Sequence, residues 1–117
     1  MNYNDFLSRV IDDGIAAATA DYADDEPRRI GAVAGFNACR QKSPEELLEL
    51  FRVAGEKMQE DRWGDKDNYW CSNSYWAEVE WVCNCVSAML HNEGLPTIIP
   101  PTVRGMMKAA EICGVAA

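Results

Sequence analysis

The segment from about Ser72 to Asn92 constrains this chain more than any other. At helical spacing Trp76, Val79, Val82, Val86, Met89 and Leu90 form one apolar stripe, and Trp81, Cys85 and Ala88 form a second. A helix that is apolar on two sides has to be surrounded by other elements, so this segment is expected at the centre of the fold. Glu80, Asn84, Ser87 and His91 would make its polar strip, and Gly94 offers a left-handed stop. Glu78 lies nearer the second stripe and, if buried, calls for an arginine partner.

What surrounds this helix reads as helical too. Leu7, Ile11, Ile15, Ala18 and Tyr22 mark a first helix over about residues 4–23, with Asn4 as its cap and Gly14 as a point of close crossing. Pro27 suits the first turn of a second helix running to about Arg40, in which Gly31 and Gly35 share one face and admit a neighbouring backbone. Ser43-Pro44-Glu45-Glu46 is a capping box with proline at the first helical position. The third helix it opens should run to about Asp61 and bury Leu47, Leu48, Phe51, Ala54, Gly55 and Met58, with Arg52 and Glu56 paired on the wet side. Residues 61–68 have the composition of a loop.

Leu95-Pro96-Thr97-Ile98-Ile99-Pro100-Pro101 cannot be regular helix and reads as an extended crossover. Thr102 then caps a short last helix expected to turn Val103, Met106, Met107, Ala110 and Cys113 inward, ending at Gly114. The expected fold is all-α, a single domain of about five helices, with the fourth helix central and a proline-rich crossover before the last.

Composition removes several classes of function. The 117 residues suffice for one core, and no apolar run approaches the roughly 18–20 residues of a membrane span. The opening Met1-Asn2-Tyr3-Asn4-Asp5 has neither a basic nor an apolar leader region, so the expected compartment is the cytoplasm. Five cysteines without a leader read as reduced thiols. A formal charge of −8 opposes direct nucleic-acid binding, which draws its affinity from lysines and arginines on phosphates.

That charge is uneven. Residues 1–26 hold seven acids and one base, against twelve acids and ten bases in the rest. Asp12, Asp13, Asp21, Asp24, Asp25 and Glu26 are therefore candidates to meet a protein partner with a basic surface, imitating a phosphate track; a merely solubilising face is the alternative. Trp63, Tyr69, Trp70, Tyr75, Trp76 and Trp81 crowd into nineteen positions. Trp76 and Trp81 have helical partners, whereas Trp63, Tyr69 and Trp70 flank the polar loop and are the contact candidates, unless the loop folds them back as a lid.

Chemistry finds little support in the spacing. Cys83 and Cys85 point about 200° apart on a helix and cannot grip one zinc ion with Cys71 and His91. Asp61, Asp65 and Asp67 lack the calcium-loop pattern. His91, the one histidine, falls near a helix end rather than beside a nucleophile. Glu45, Glu46 and Glu49 resemble the first carboxylate pair of magnesium-dependent all-α nucleotide hydrolases, but the later E-x-x-D that would complete it is missing. No metal and no cofactor is expected.

Ala77-Glu78-Val79-Glu80-Trp81-Val82-Cys83-Asn84-Cys85-Val86-Ser87-Ala88-Met89-Leu90, followed by Gly94-Leu95-Pro96 and by Pro101-Thr102-Val103-Arg104-Gly105 leading to Lys108-Ala109-Ala110-Glu111, resembles small uncharacterised acidic helical proteins encoded by bacteriophages and prophages. The resemblance covers about forty residues of the C-terminal third and implies a protein acting in a bacterial host cell. Such proteins include anti-CRISPR proteins and other inhibitors of host machinery. The expectation is a non-catalytic protein-binding module, possible as a homodimer. Its rivals are a magnesium-dependent nucleotide hydrolase and a structural homo-oligomer built on the glycine-bearing second helix.

Overall fold

The computed structural model describes the backbone of residues 1–63 and 69–114, and the side chains among them outside 59–73. Five helices follow in order: α1 (Tyr3–Asp21), α2 (Glu26–Ala38), α3 (Pro44–Trp63), α4 (Tyr69–Asn92) and α5 (Val103–Cys113). Among the described residues there is no strand, and the fold is all-α.

Local chemistry sets each start. Asn2, and not Asn4, caps α1: its side chain accepts from the Asp5 amide at 2.8 Å, which brings Phe6 and Val10 into the buried stripe beside Leu7, Ile11 and Ala18. Asp25 caps α2, accepting from the Arg28 amide at 3.3 Å. That helix stops at Ala38, short of Arg40, where the chain turns through Gln41 at φ 57°. The α3 capping box closes both ways, with the Glu46 amide donating to Ser43 Oγ at 3.2 Å and the Ser43 amide donating to Glu46 Oε1 at 3.0 Å. Thr102 caps α5 by accepting from the Gly105 amide at 3.1 Å, and Gly114 ends it in the left-handed conformation.

The core lies around α4, which packs against each of the other four helices. Val79, Val82, Cys83, Cys85, Val86, Ala88, Met89 and Leu90 are buried along it. Ser87 corrects the expected polar strip, since it too is fully buried. Its hydroxyl accepts from the Ile98 and Ile99 amides at 3.2 and 3.1 Å, so the extended crossover is tied down on α4 at that point. Asn84 adds a third tie, its Oδ1 accepting from the Thr102 amide at 3.2 Å.

Glycine sets the closest approach. A Cβ on Gly35 would stand 2.2 Å from the Tyr75 carbonyl oxygen, so α2 touches α4 backbone to backbone. The close crossing expected at Gly14 is with α2, where the Phe36 ring fills the space a Cβ would take.

Two expected faces are turned. On α3, Leu47 and Ala54 are buried, but Leu48 and Gly55 are exposed: among the described residues only α4 backs this helix, so it covers one narrow stripe. On α5 the structure buries Gly105, Ala109 and Ile112 and leaves Val103, Met106, Met107 and Cys113 outside. The small residues win because they allow the helix to lie close: a Cβ on Gly105 would be 3.1 Å from the Asn84 carbonyl oxygen.

Candidate functional site

The N-terminal acids separate into two groups. Asp12 accepts from Arg40 at 2.7 Å, and Asp13 accepts from both Arg9 and Lys108 at 3.0 Å, so these two are already paired within the chain. Burial would raise the Asp13 carboxyl, but the hydrogen bonds from Lys108 and Arg9 outweigh it and hold it below the usual carboxylate range. Asp25 is occupied as the α2 cap. Asp21, Asp24, Asp25 and Glu26 stand exposed around the turn between α1 and α2. The contact candidates Trp63, Tyr69 and Trp70 have side chains outside the described residues, as do Cys71, Asp61, Asp65 and Asp67.

The structure brings together a different set. Trp81 is half-buried on α4, and Arg104, from the first turn of α5, holds its guanidinium carbon 5.7 Å from the indole centre. On one side of this pair lies a cleft of about 250 Å³ walled by Tyr22, Phe36 and Trp81, with Asp21 and Glu78 as its acids. The small residues Gly14, Ala17 and Ala18 of α1 leave the room for it. On the other side lies a more open depression of about 400 Å³ lined by Trp81, Arg104, Met107, Lys108 and Glu111. Arg28 stacks on Tyr22 at 4.4 Å. Burial holds the Glu78 carboxyl above its ordinary range, and the positive charge of Arg28 pulls it only partly back.

Met107 leads from the depression onto the outer face of α5, which is apolar. Val103 is 71% exposed, Met107 61% and Met106 39%. Sequence reading placed these three in the core and Trp81 among core residues, and so missed both the cleft and the stripe. The available signal was Gly105 and Ala109, four apart like Gly31 and Gly35, which marks the face of α5 that lies against a neighbour.

Among the described residues several groups with reactive potential are buried or paired, while Cys113 is exposed. Cys39, Cys83 and Cys85 are buried, and burial pushes each thiol up to about 12, far from a reactive thiolate. Cys83 Sγ also donates to the Leu47 carbonyl at 3.5 Å. Glu46 is held in its capping box, and Glu49 takes Arg52 at 2.6 Å. Among the described residues no three His, Cys, Asp or Glu gather where they could hold a metal ion, and no helix is long and apolar enough to cross a membrane.

The chain matches no family model, no curated protein and no solved structure.

Proposed function

We propose that this chain is a non-catalytic protein-binding module which inhibits a nucleic-acid-handling or defence machine of a bacterial host, acting in the host cytoplasm. The observation that carries the binding reading is the outer face of α5. Val103, Met106 and Met107 form one exposed apolar stripe on a helix whose opposite face is already seated on α4. Large apolar side chains left side by side in water gain by being covered, whereas singly scattered ones need no account. The acids at the α1–α2 turn and the net charge of −8 favour a partner with a basic surface. The inhibitor role and the host setting rest on the phage resemblance of the C-terminal third. The glycine face of α2 offers less to a second copy, because Gly35 is already against the Tyr75 backbone.

The test is capture of a stoichiometric partner from bacterial lysate on the tagged protein, with salt washes and mass spectrometry. Two variants accompany it: Met107→Asp, and the double reversal Asp24→Lys with Glu26→Lys, which spares the α2 cap and the ion pairs of Asp12 and Asp13. Both should stay folded by circular dichroism and lose at least about tenfold in capture, the charge reversal most strongly at low salt. Full capture by Met107→Asp would sink the proposal.

A further inference from the structure

Resting on that binding reading, we propose that the cleft between α1 and α4 receives one arginine side chain of the partner, stacked against Trp81 and paired with Glu78, and that Arg104 occupies its mouth until the partner arrives. Size is the first argument. At about 250 Å³ the cleft falls below the roughly 300–1,000 Å³ of pockets that enclose drug-sized ligands, and it suits a single long side chain. Its lining is the second. Three aromatic rings and two carboxylates, Asp21 and Glu78, face one space, the combination that recognises a cation with apolar flanks.

The preference for guanidinium is visible inside the chain itself. Arg28 lies over Tyr22 and Arg104 over Trp81, so two of the three rings at this site already carry a planar cation. The two are held differently. Arg28 at 4.4 Å is in close contact, whereas Arg104 at 5.7 Å is near the limit of about 6 Å for such an interaction and sits on an exposed residue. Arg104 is thus the guanidinium that can leave. An incoming arginine replaces its stacking on Trp81 and gains a bidentate, charge-assisted pair with Glu78, whose partial burial makes a close cation worth more than it would be in open water.

The test needs no partner. The isotope-labelled protein is titrated with N-acetyl-arginine amide, and with the citrulline analogue as a neutral isostere, while amide and indole resonances are followed by NMR. The expected result is saturable shifts at Gly14, Ala17, Ala18 and the Trp81 indole with the arginine probe in the millimolar range, and at least fivefold weaker response to citrulline. Glu78→Gln should weaken the arginine response at least fivefold. Arg104→Ala, at an exposed site that leaves the fold intact, should strengthen it two- to fivefold by removing the competitor.

Equal shifts with citrulline, or no shifts at tens of millimolar, overturn the proposal. Weaker binding by Arg104→Ala also overturns it, since Arg104 would then help to hold the probe and not compete with it. Failure here with partner capture intact refutes the arginine pocket alone. Arginine binding without partner capture refutes the module reading alone.

Discussion

Replacing Gly35 by alanine tests the packing that defines this fold. A Cβ at that position meets the Tyr75 carbonyl oxygen at 2.2 Å, its carbon at 2.9 Å and the Tyr75 Cα at 3.0 Å. All three are backbone atoms of α4, so no rotamer change can make room. Restoring ordinary contact near 3.4 Å requires α2 and α4 to part by roughly an ångström, loosening fully buried Ala32 on one side and Val79 and Val82 on the other. Overpacking of this kind costs about 1–3 kcal/mol or more, and the gain in helix propensity from glycine to alanine returns at most about 1 kcal/mol. Gly55→Ala is the matched control, because Gly55 is exposed in α3 and its Cβ would meet nothing within 4 Å. Only the propensity gain operates there.

Urea unfolding followed by far-UV circular dichroism separates the two. Gly35→Ala should lower the unfolding free energy by about 2 kcal/mol or more, and Gly55→Ala should raise it by up to about 1 kcal/mol. On a domain of this length the total is only of order 10 kcal/mol, so the first change is large. If Gly35→Ala is as stable as the parent while the control behaves as stated, the close approach of α2 to α4 is wrong.

Three further predictions follow from the ties described. Ser87→Ala leaves the Ile98 and Ile99 amides without their acceptor and should cost about 1–3 kcal/mol, with faster hydrogen exchange at both amides; unchanged exchange would mean the hydroxyl does not hold the crossover. Gln41→Gly relieves a non-glycine residue at φ 57° and should stabilise by about 0.5–1 kcal/mol in thermal or urea unfolding, so a loss of stability would count against that backbone conformation. Asp13 has a folded-state carboxyl held below its unfolded value near pH 4, so its contribution is present above that pH and is lost as pH falls through the lower, folded value. Because the pair is partly exposed to solvent, Asp13→Asn should cost less than about 1 kcal/mol at neutral pH. The gap should close as the pH falls below the folded-state value and the Asp13 carboxyl protonates, and a gap that persists in acid has another origin.

The parts of this fold written in short-range chemistry were readable in the sequence. The α3 start was legible because Ser43 and Glu46 carry the whole device within four residues, and the α4 centre because two apolar stripes leave a helix no exposed alternative. The failures share one cause. Val103, Met106 and Met107 are more apolar than Gly105 and Ala109, yet on α5 the smaller pair faces the core, since what it offers is proximity to Asn84 and not area. Ser87 reads as surface because the crossover amides that need its hydroxyl lie 11 and 12 residues further along the chain, a long-range demand that no local pattern carries.

 

Asp12 and Asp13 read as free charge for the same reason, because their partners Arg40, in the turn after α2, and Lys108, on α5, lie 28 and 95 residues along the chain. The cleft at Trp81 needs α1, α2, α4 and α5 together, so no single stretch announces it.

The central place of α4 also has a consequence for how the protein is made. The ribosome delivers α1, α2 and α3 first, and among the described residues α3 touches neither of the other two. Until α4 follows, the apolar stripes of three helices have only the α1–α2 contact between them. The nascent chain therefore spends most of its synthesis without a core, exposed to aggregation and in need of shielding, and then gains nearly all of its structure as one late segment emerges.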